Sequence, residues 1–283
     1  MLLVFRKERI NDGRDACERQ ERTGSKDVFL AIHFRIRREC SFFETWQHGW
    51  ISTRPDLLVL CAVLGMLIGI MGTTYDIVKS YKEIDEILLQ KCDPKSYLAV
   101  ISYARSYGRE FRFKGWQKTV FEMAQQRYIK AEIADGNLEA ARKALHEEWS
   151  GKKNSRMYRQ TAMNLELVEA YQCSDAEKYH KLFLQAGKVF QKNPLFIAEK
   201  LLLEQNFEQA AEVLQEYKTS VLYNNVLRSY LLGLCCDKLG NQKTARNHMQ
   251  YAAEYGNTMP CREKAEAWLT ANHDLQRPDD TAE

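Results

Sequence analysis

Four alanines recur at a nearly fixed interval in the second half of the chain. They lie 35, 34 and 35 residues apart, each within a helical apolar pattern: Ala141, Ala176, Ala210 and Ala245. A period near 34 residues is typical of a solenoid of helical hairpins. An alanine has almost no side chain, so it lets two antiparallel helices cross closely. We therefore predict an all-α fold that serves as a scaffold, and a chance spacing within a simple helical bundle is the alternative.

Short turns separate the predicted helices of this region. Gly and Asn or Asp cluster at the breaks, which favours antiparallel neighbouring helices. One helix is predicted over residues 175–190. His180 lies four residues after Ala176, one turn along the same face, and so takes an inward repeat position. We expect a satisfied or partly buried histidine there rather than a catalytic base.

Upstream of the repeats, an uncharged apolar run predicts a transmembrane helix. The nineteen residues from Leu57 to Tyr75 carry no charge. A helix of this length, at about 1.5 Å per residue, spans nearly the ~30 Å thickness of the bilayer hydrocarbon. A buried core helix and a cleaved signal peptide are the alternatives, but the run has no polar stripe and lies deep in the chain. We expect an uncleaved single-pass span over residues 56–76.

Glycine spacing and flanking charge add two hypotheses about this span. Gly65 and Gly69 lie four residues apart, a spacing that lets two membrane helices approach closely, so a homodimer through the span is one of them. Lys and Arg residues within reach of the span are more numerous before it than after it. The positive-inside rule therefore predicts a cytoplasmic N-terminus and an extracytoplasmic repeat domain.

The cysteines weaken the argument for an extracytoplasmic repeat domain. Five cysteines follow the span, an odd number that does not form a tidy disulfide framework: Cys92, Cys173, Cys235, Cys236 and Cys261. Cys236 falls at an apolar repeat position, so we expect a buried free thiol there. Free thiols favour a reducing compartment.

The chain divides into five predicted segments. Residues 1–54 form a basic leader that is disordered or lies at the membrane interface, and the alternative is that translation starts near Arg54. The transmembrane helix at 56–76 follows. Residues 77–121 form a helical connector and an N-terminal hairpin, residues 122–273 form the repeat domain, and residues 274–283 form a disordered tail.

The last repeat carries residues that resemble the tetratricopeptide family. Leu232 and Gly233 match the tight contact of that family's first helix, Gly240 matches the intervening turn, and Ala245 and Ala252 match the small residues of its second helix. Less complete copies surround Ala210 and Ala141. The pattern also has departures, because Glu132 replaces an apolar residue, and Asn164 and Tyr171 replace small ones. A related helical-hairpin solenoid fits equally well.

The resemblance implies a concave surface that docks a peptide or a partner protein. Carried over residue by residue, the groove positions are Gln126, Lys130, Lys192, Glu199, Tyr230, Asp237 and Lys238. These residues mix both signs of charge, so neither a strongly acidic nor a strongly basic ligand is indicated. The order of an anchor followed by repeats resembles bacterial envelope proteins.

Other functions find little support in the sequence. The net charge is +3, from 41 basic and 38 acidic residues, which gives nucleic-acid binding no electrostatic basis. No metal-ligand spacing and no phosphate-binding glycine loop occur, so we expect no metal, no cofactor and no enzymatic activity. The predicted function is a membrane-anchored interaction scaffold. A sensor that signals through the span and a membrane-bound enzyme with an unrecognised site are the alternatives.

Overall fold

A computed structural model of the chain describes residues 55–110 and 116–272. All regular structure in these two segments is helical and neither contains a strand, which confirms the all-α prediction. The predicted leader at 1–54 and the predicted tail at 274–283 lie outside the described residues.

Twelve helices occur among the described residues. They are α1 (Pro55–Leu89), α2 (Pro94–Glu110), α3 (Trp116–Asp135), α4 (Leu138–His146), α5 (Arg156–Gln172), α6 (Ala176–Gln185), α7 (Lys188–Gln191), α8 (Pro194–Leu203), α9 (Phe207–Glu216), α10 (Leu222–Lys238), α11 (Gln242–Tyr255) and α12 (Pro260–Ala271).

The first helix, α1, is 35 residues long and contains the uncharged run. Within the part of the chain that the structure describes, no helix is both long and apolar enough to cross a membrane, so the span predicted over 56–76 gains no support. The chain divides into two compact units, residues 1–83 and 84–283. The hairpins described below all belong to the second unit.

Five helix-to-helix turns share one local design. In each turn a residue with positive φ ends one helix, and an Asp or Asn follows it and begins the next: Cys92–Asp93, Gly136–Asn137, Ser174–Asp175, Gln205–Asn206 and Gly240–Asn241. In the last four, the amide of the Asp or Asn donates to the carbonyl five residues earlier, over 2.8–2.9 Å. This is the hydrogen bond of a Schellman ending, which satisfies a carbonyl at the helix C-terminus. The chain therefore repeats one hairpin.

The shared turn sets which residues occupy equivalent positions. The fourth residue of each helix that follows a turn is buried: Tyr97, Ala141, Tyr179, Ala210 and Ala245. Ala176 differs from the prediction, because it is the first residue of α6 and is only half-buried. Tyr179 takes the position that the spacing assigned to Ala176. The physical reason is that successive turns from Asn137 onward are 38, 31 and 35 residues apart, so an even alanine spacing does not mark equivalent sites.

The predicted helix over 175–190 is wrong in its second half. Helix α6 ends at Gln185, and Ala186 and Gly187 adopt extended backbone with ψ of 143° and 165° before the single turn of α7. His180 does not take the predicted inward position, although its ring has a polar partner. Its side chain is exposed, and its Nδ1 lies 2.9 Å from Glu204 Oε1.

Consecutive hairpins pack against one another. The helices α3, α5, α8, α10 and α12 form a continuous row in which each contacts the next; we call them the inner helices. Each of α4, α6, α9 and α11 packs between two consecutive inner helices. Gly233 on α10 is buried where α11 comes close, since a Cβ added there would lie 2.9 Å from Cε of Met249. Ala252 on α11 is also fully buried.

The turn between α1 and α2 contacts the turn before α12. Thr258, in the turn before α12, donates its hydroxyl to Asp93 Oδ1 over 2.7 Å, and Asn257 Nδ2 donates to the Lys91 carbonyl over 2.9 Å. Cys92 lies in one apolar cluster with Met259 of the same turn and with residues of α10 to α12. These contacts join segments about 165 residues apart in the chain. We call these contacts the closure.

Candidate peptide-binding surface

The seven predicted groove residues fall into separate environments. Glu199 of α8 and Tyr230 of α10 lie on inner helices, and both are partly buried. Asp237 and Lys238 lie at the C-terminal end of α10, where Asp237 accepts a hydrogen bond of 3.0 Å from Gln242 Nε2. Lys192 ends the short helix α7 and is exposed. The seven predicted groove residues therefore do not form one site.

Glu199 is the best-defined polar group of the inner helices. Its Oε2 accepts a hydrogen bond of 2.9 Å from the hydroxyl of Tyr179, which also lies 3.0 Å from the Phe196 carbonyl oxygen. Burial raises the pKa of the Glu199 carboxyl to about 7, although the bond from Tyr179 acts to lower it. Among the described residues, no Lys, Arg or His forms an ion pair with Glu199. The carboxyl thus lies in a desolvated place without a cation to balance its charge.

Tyrosines from three helices lie near this carboxyl or near one another. Tyr171 ends α5, and burial raises its pKa, as do the nearby Glu199 and Tyr230. The ring of Tyr171 lies 6.4 Å from that of Tyr179, edge to face. Burial, Cys261 and Glu199 likewise raise the pKa of Tyr223 on α10. We call Glu199 with these four tyrosines, Tyr171, Tyr179, Tyr223 and Tyr230, the Glu199 cluster.

Lys130 and Gln126 of α3 lie in a different part of the inner surface. The side chain of Lys130 is exposed, yet burial by surrounding atoms lowers the pKa of its ammonium group, and the charge of Arg127 lowers it further while Asp85 raises it. Gln126 donates from Nε2 to Thr161 Oγ1 of α5 over 3.2 Å, so it joins two inner helices.

A second polar cluster lies between α2, α3 and α4, and sequence reasoning missed it. Arg105 is buried, pairs with Glu148, and places its guanidinium 4.0 Å from the ring centre of Tyr128. Glu132, the residue that departs from the family pattern, is also buried there and hydrogen-bonds with Tyr128. Gln125 adds a bond of 2.7 Å to the Glu148 carbonyl. Glu132 Oε2 is nevertheless buried without a hydrogen-bond partner among the described residues. The bond with Tyr128 therefore offsets only part of the cost of placing a glutamate at an apolar position.

The five cysteines from Cys92 to Cys261 are free thiols. Cys235 and Cys236 of α10 are buried, and burial raises the pKa of Cys235 to about 12. Burial also raises the pKa of Cys261 to about 12 and that of Cys92 to about 11. Thiols with raised pKa values are poor nucleophiles at neutral pH. In the two described segments, no three His, Cys, Asp or Glu side chains converge as a metal site would require.

No protein-family model, no curated protein and no solved structure matches this chain. The structure therefore defines this chain only as an all-helical protein of stacked hairpins. Its most distinctive polar feature is the Glu199 cluster on the inner helices.

Proposed function

We propose that this chain is a protein-interaction scaffold whose inner helices dock an extended peptide or a partner segment. The observation that carries the proposal is the Glu199 cluster, in which a partly accessible carboxyl on an inner helix is hydrogen-bonded by the buried Tyr179 and lies near partly buried tyrosines of neighbouring helices. Tyrosines supply large and rigid contact area with a polar tip, which suits recognition of a partner. A concave row of helices is also the surface that tetratricopeptide-like solenoids offer to peptides.

Membrane attachment is the second part of the proposal. It rests on the uncharged run from Leu57 to Tyr75. It is also supported by several apolar side chains of α1 that are about half or more exposed, among them Met66, Ile68 and Met71. An exposed apolar patch of this kind is typical of a surface that contacts lipid or another protein. The orientation, with the N-terminus in the cytoplasm, and dimerisation through Gly65 and Gly69 stay predictions.

Peptide capture is tested with a defined probe. The full chain, purified in detergent micelles, is panned against a displayed library of random 12-residue peptides, and one selected peptide is then titrated against two lysine variants. Lys130→Glu changes the inner helix α3, whereas Lys143→Glu makes the same change at an exposed position of α4. We expect at least a tenfold change in Kd for Lys130→Glu and none for Lys143→Glu. Equal affinities for both variants would contradict docking on the inner helices.

Membrane attachment is tested by labelling. Single cysteines are introduced at positions 20 and 280 of a cysteine-free chain, and intact cells are treated with a membrane-impermeant thiol reagent. Labelling at position 280 alone is the expected result. Labelling at position 20 alone would reverse the orientation. No labelling at either position, with a soluble product on lysis, would remove the anchor from the proposal.

A further inference from the structure

We propose that the Glu199 cluster is the receptor for one cationic side chain, lysine or arginine, of the docked peptide. This inference rests on the proposed function and deepens it, because it names the chemistry of the partner. It was not indicated by the sequence, in which the mixed charges of the seven groove residues favoured no sign of ligand charge.

The first argument is the unmet charge of Glu199. The carboxyl has a single described hydrogen-bond donor, the Tyr179 hydroxyl, and an ionised carboxylate in a desolvated site needs more than one neutral donor to offset the loss of water. Burial outweighs that bond and leaves the pKa of the carboxyl raised. A cation that arrives with the partner would supply the missing charge. The free protein is thus prepared for a positive group and carries none of its own there.

The second argument is the surrounding rings. Tyr171 and Tyr230 come from α5 and α10, on either side of α8, and both pack on the apolar cluster that contains Ala198. Both are partly buried, so their rings are held in place and can serve as walls for an arriving side chain. The faces of tyrosine rings attract ammonium and guanidinium groups, and the attraction grows when water is excluded. Lysine and arginine also have apolar stems that can lie along such walls while the charged end meets the carboxylate.

The third argument is what else faces the carboxyl. The titratable groups that act with Glu199 are Tyr179 from α6, Tyr171 from α5, and Tyr223 from α10, with Tyr230 and Cys235 near Tyr171. All of these groups are neutral at physiological pH, since their pKa values are raised. Hence no positively charged group that the structure describes near Glu199 competes with a cation from the partner.

The test uses the full chain and the same displayed library. Wild type is expected to select peptides with a lysine or arginine at one fixed position. A selected peptide is then titrated against wild type, Glu199→Gln, and Glu204→Gln as a matched control on the exposed end of α8. We expect Glu199→Gln to weaken binding at least tenfold and Glu204→Gln to leave it unchanged. Because the amide of glutamine can still accept from Tyr179, the variant should fold, and its circular dichroism spectrum checks this.

A ligand variant closes the thermodynamic cycle. Replacing the cationic residue of the peptide by norleucine or citrulline should weaken binding to wild type by the same factor as Glu199→Gln, with little further loss when both changes are combined. Peptides without a cation whose binding still depends on Lys130 would overturn this inference and leave the proposed function standing. Equal affinity of wild type and Glu199→Gln would also overturn it. Selection of no peptide at all would overturn both.

Discussion

Tyr179 donates its hydroxyl hydrogen to Glu199 across 2.9 Å, and this bond joins α6 to the inner helix α8 of the following hairpin. Tyr179 occupies the position that alanine holds in three other hairpins. The side chain of tyrosine is much longer than that of alanine, so the Tyr179 hydroxyl extends beyond the helix crossing and reaches the Glu199 carboxyl. One substitution in the repeat thus produces the most distinctive polar feature of the surface.

The turn-based register can be tested with two alanines. Ala210 is fully buried, so we expect Ala210→Leu to overpack its helix crossing and to cost about 1–3 kcal/mol of unfolding free energy. Ala176 is half-buried at the start of α6, so Ala176→Leu should change the unfolding free energy by no more than about 0.5 kcal/mol. Urea denaturation followed by circular dichroism measures both. Equal costs would restore the register that the alanine spacing predicted.

The left-handed turn residues predict a reciprocal pair of effects. Gln205 has φ of +59° and is exposed, and a non-glycine residue in this conformation is strained. We therefore expect Gln205→Gly to raise stability by about 0.5–1 kcal/mol, because glycine adopts positive φ without that strain. Gly240→Gln places the same residue at φ of +77°, where a Cβ meets no neighbouring atom, and should lower stability by a similar amount. Shifts of the same sign in thermal denaturation would refute this account of the turns.

Glu199 should make stability depend on pH. Its pKa in the folded protein is about 7 against an ordinary 4.5, so the folded state binds the proton more tightly. Its contribution is therefore complete below about pH 4.5 and is lost as pH rises through 7, by at most about 3 kcal/mol. Glu199→Gln should flatten the loss of stability between pH 5 and pH 8. Melting temperatures at the two pH values check this, and an unchanged difference between them would contradict it.

The closure can be weakened without changing side-chain shape. Thr258→Val removes the hydroxyl that donates to Asp93 and should cost about 1–2 kcal/mol. The control is Thr270→Val, because the Thr270 hydroxyl donates only to the carbonyl of Glu266 within its own helix and is exposed. Burial would raise the pKa of Asp93, but the bonds from Ser96 and Thr258 hold it below its usual range. This stabilisation is present above the ordinary pKa of aspartate and is lost as pH falls, so the variant should lose less stability in acid. If both threonine variants cost the same, the closure contributes nothing.

Local signals were sufficient for most helices and turns, but not for their arrangement. Gly136–Asn137 and Gly240–Asn241 could be read as breaks because the chemistry of a turn is local. The bond between Thr258 and Asp93 has no such signal, since its partners are 165 residues apart. The alanine spacing assigned Ala176 to the buried position that Tyr179 occupies, because the intervals between turns are unequal. Tyr171 counted only as a departure from the family pattern, and its place beside Glu199 required the packing of three helices.

The most direct test of the account is to locate a bound peptide on the protein. A photoreactive p-benzoylphenylalanine is introduced at Lys130, exposed on the inner helix α3, or at Lys143, exposed on α4, and each full chain is irradiated with one library-selected peptide. The account predicts a peptide cross-link from position 130 and none from position 143. A cross-link from position 143 alone would show that the peptide binds beside α4 and would contradict the central claim.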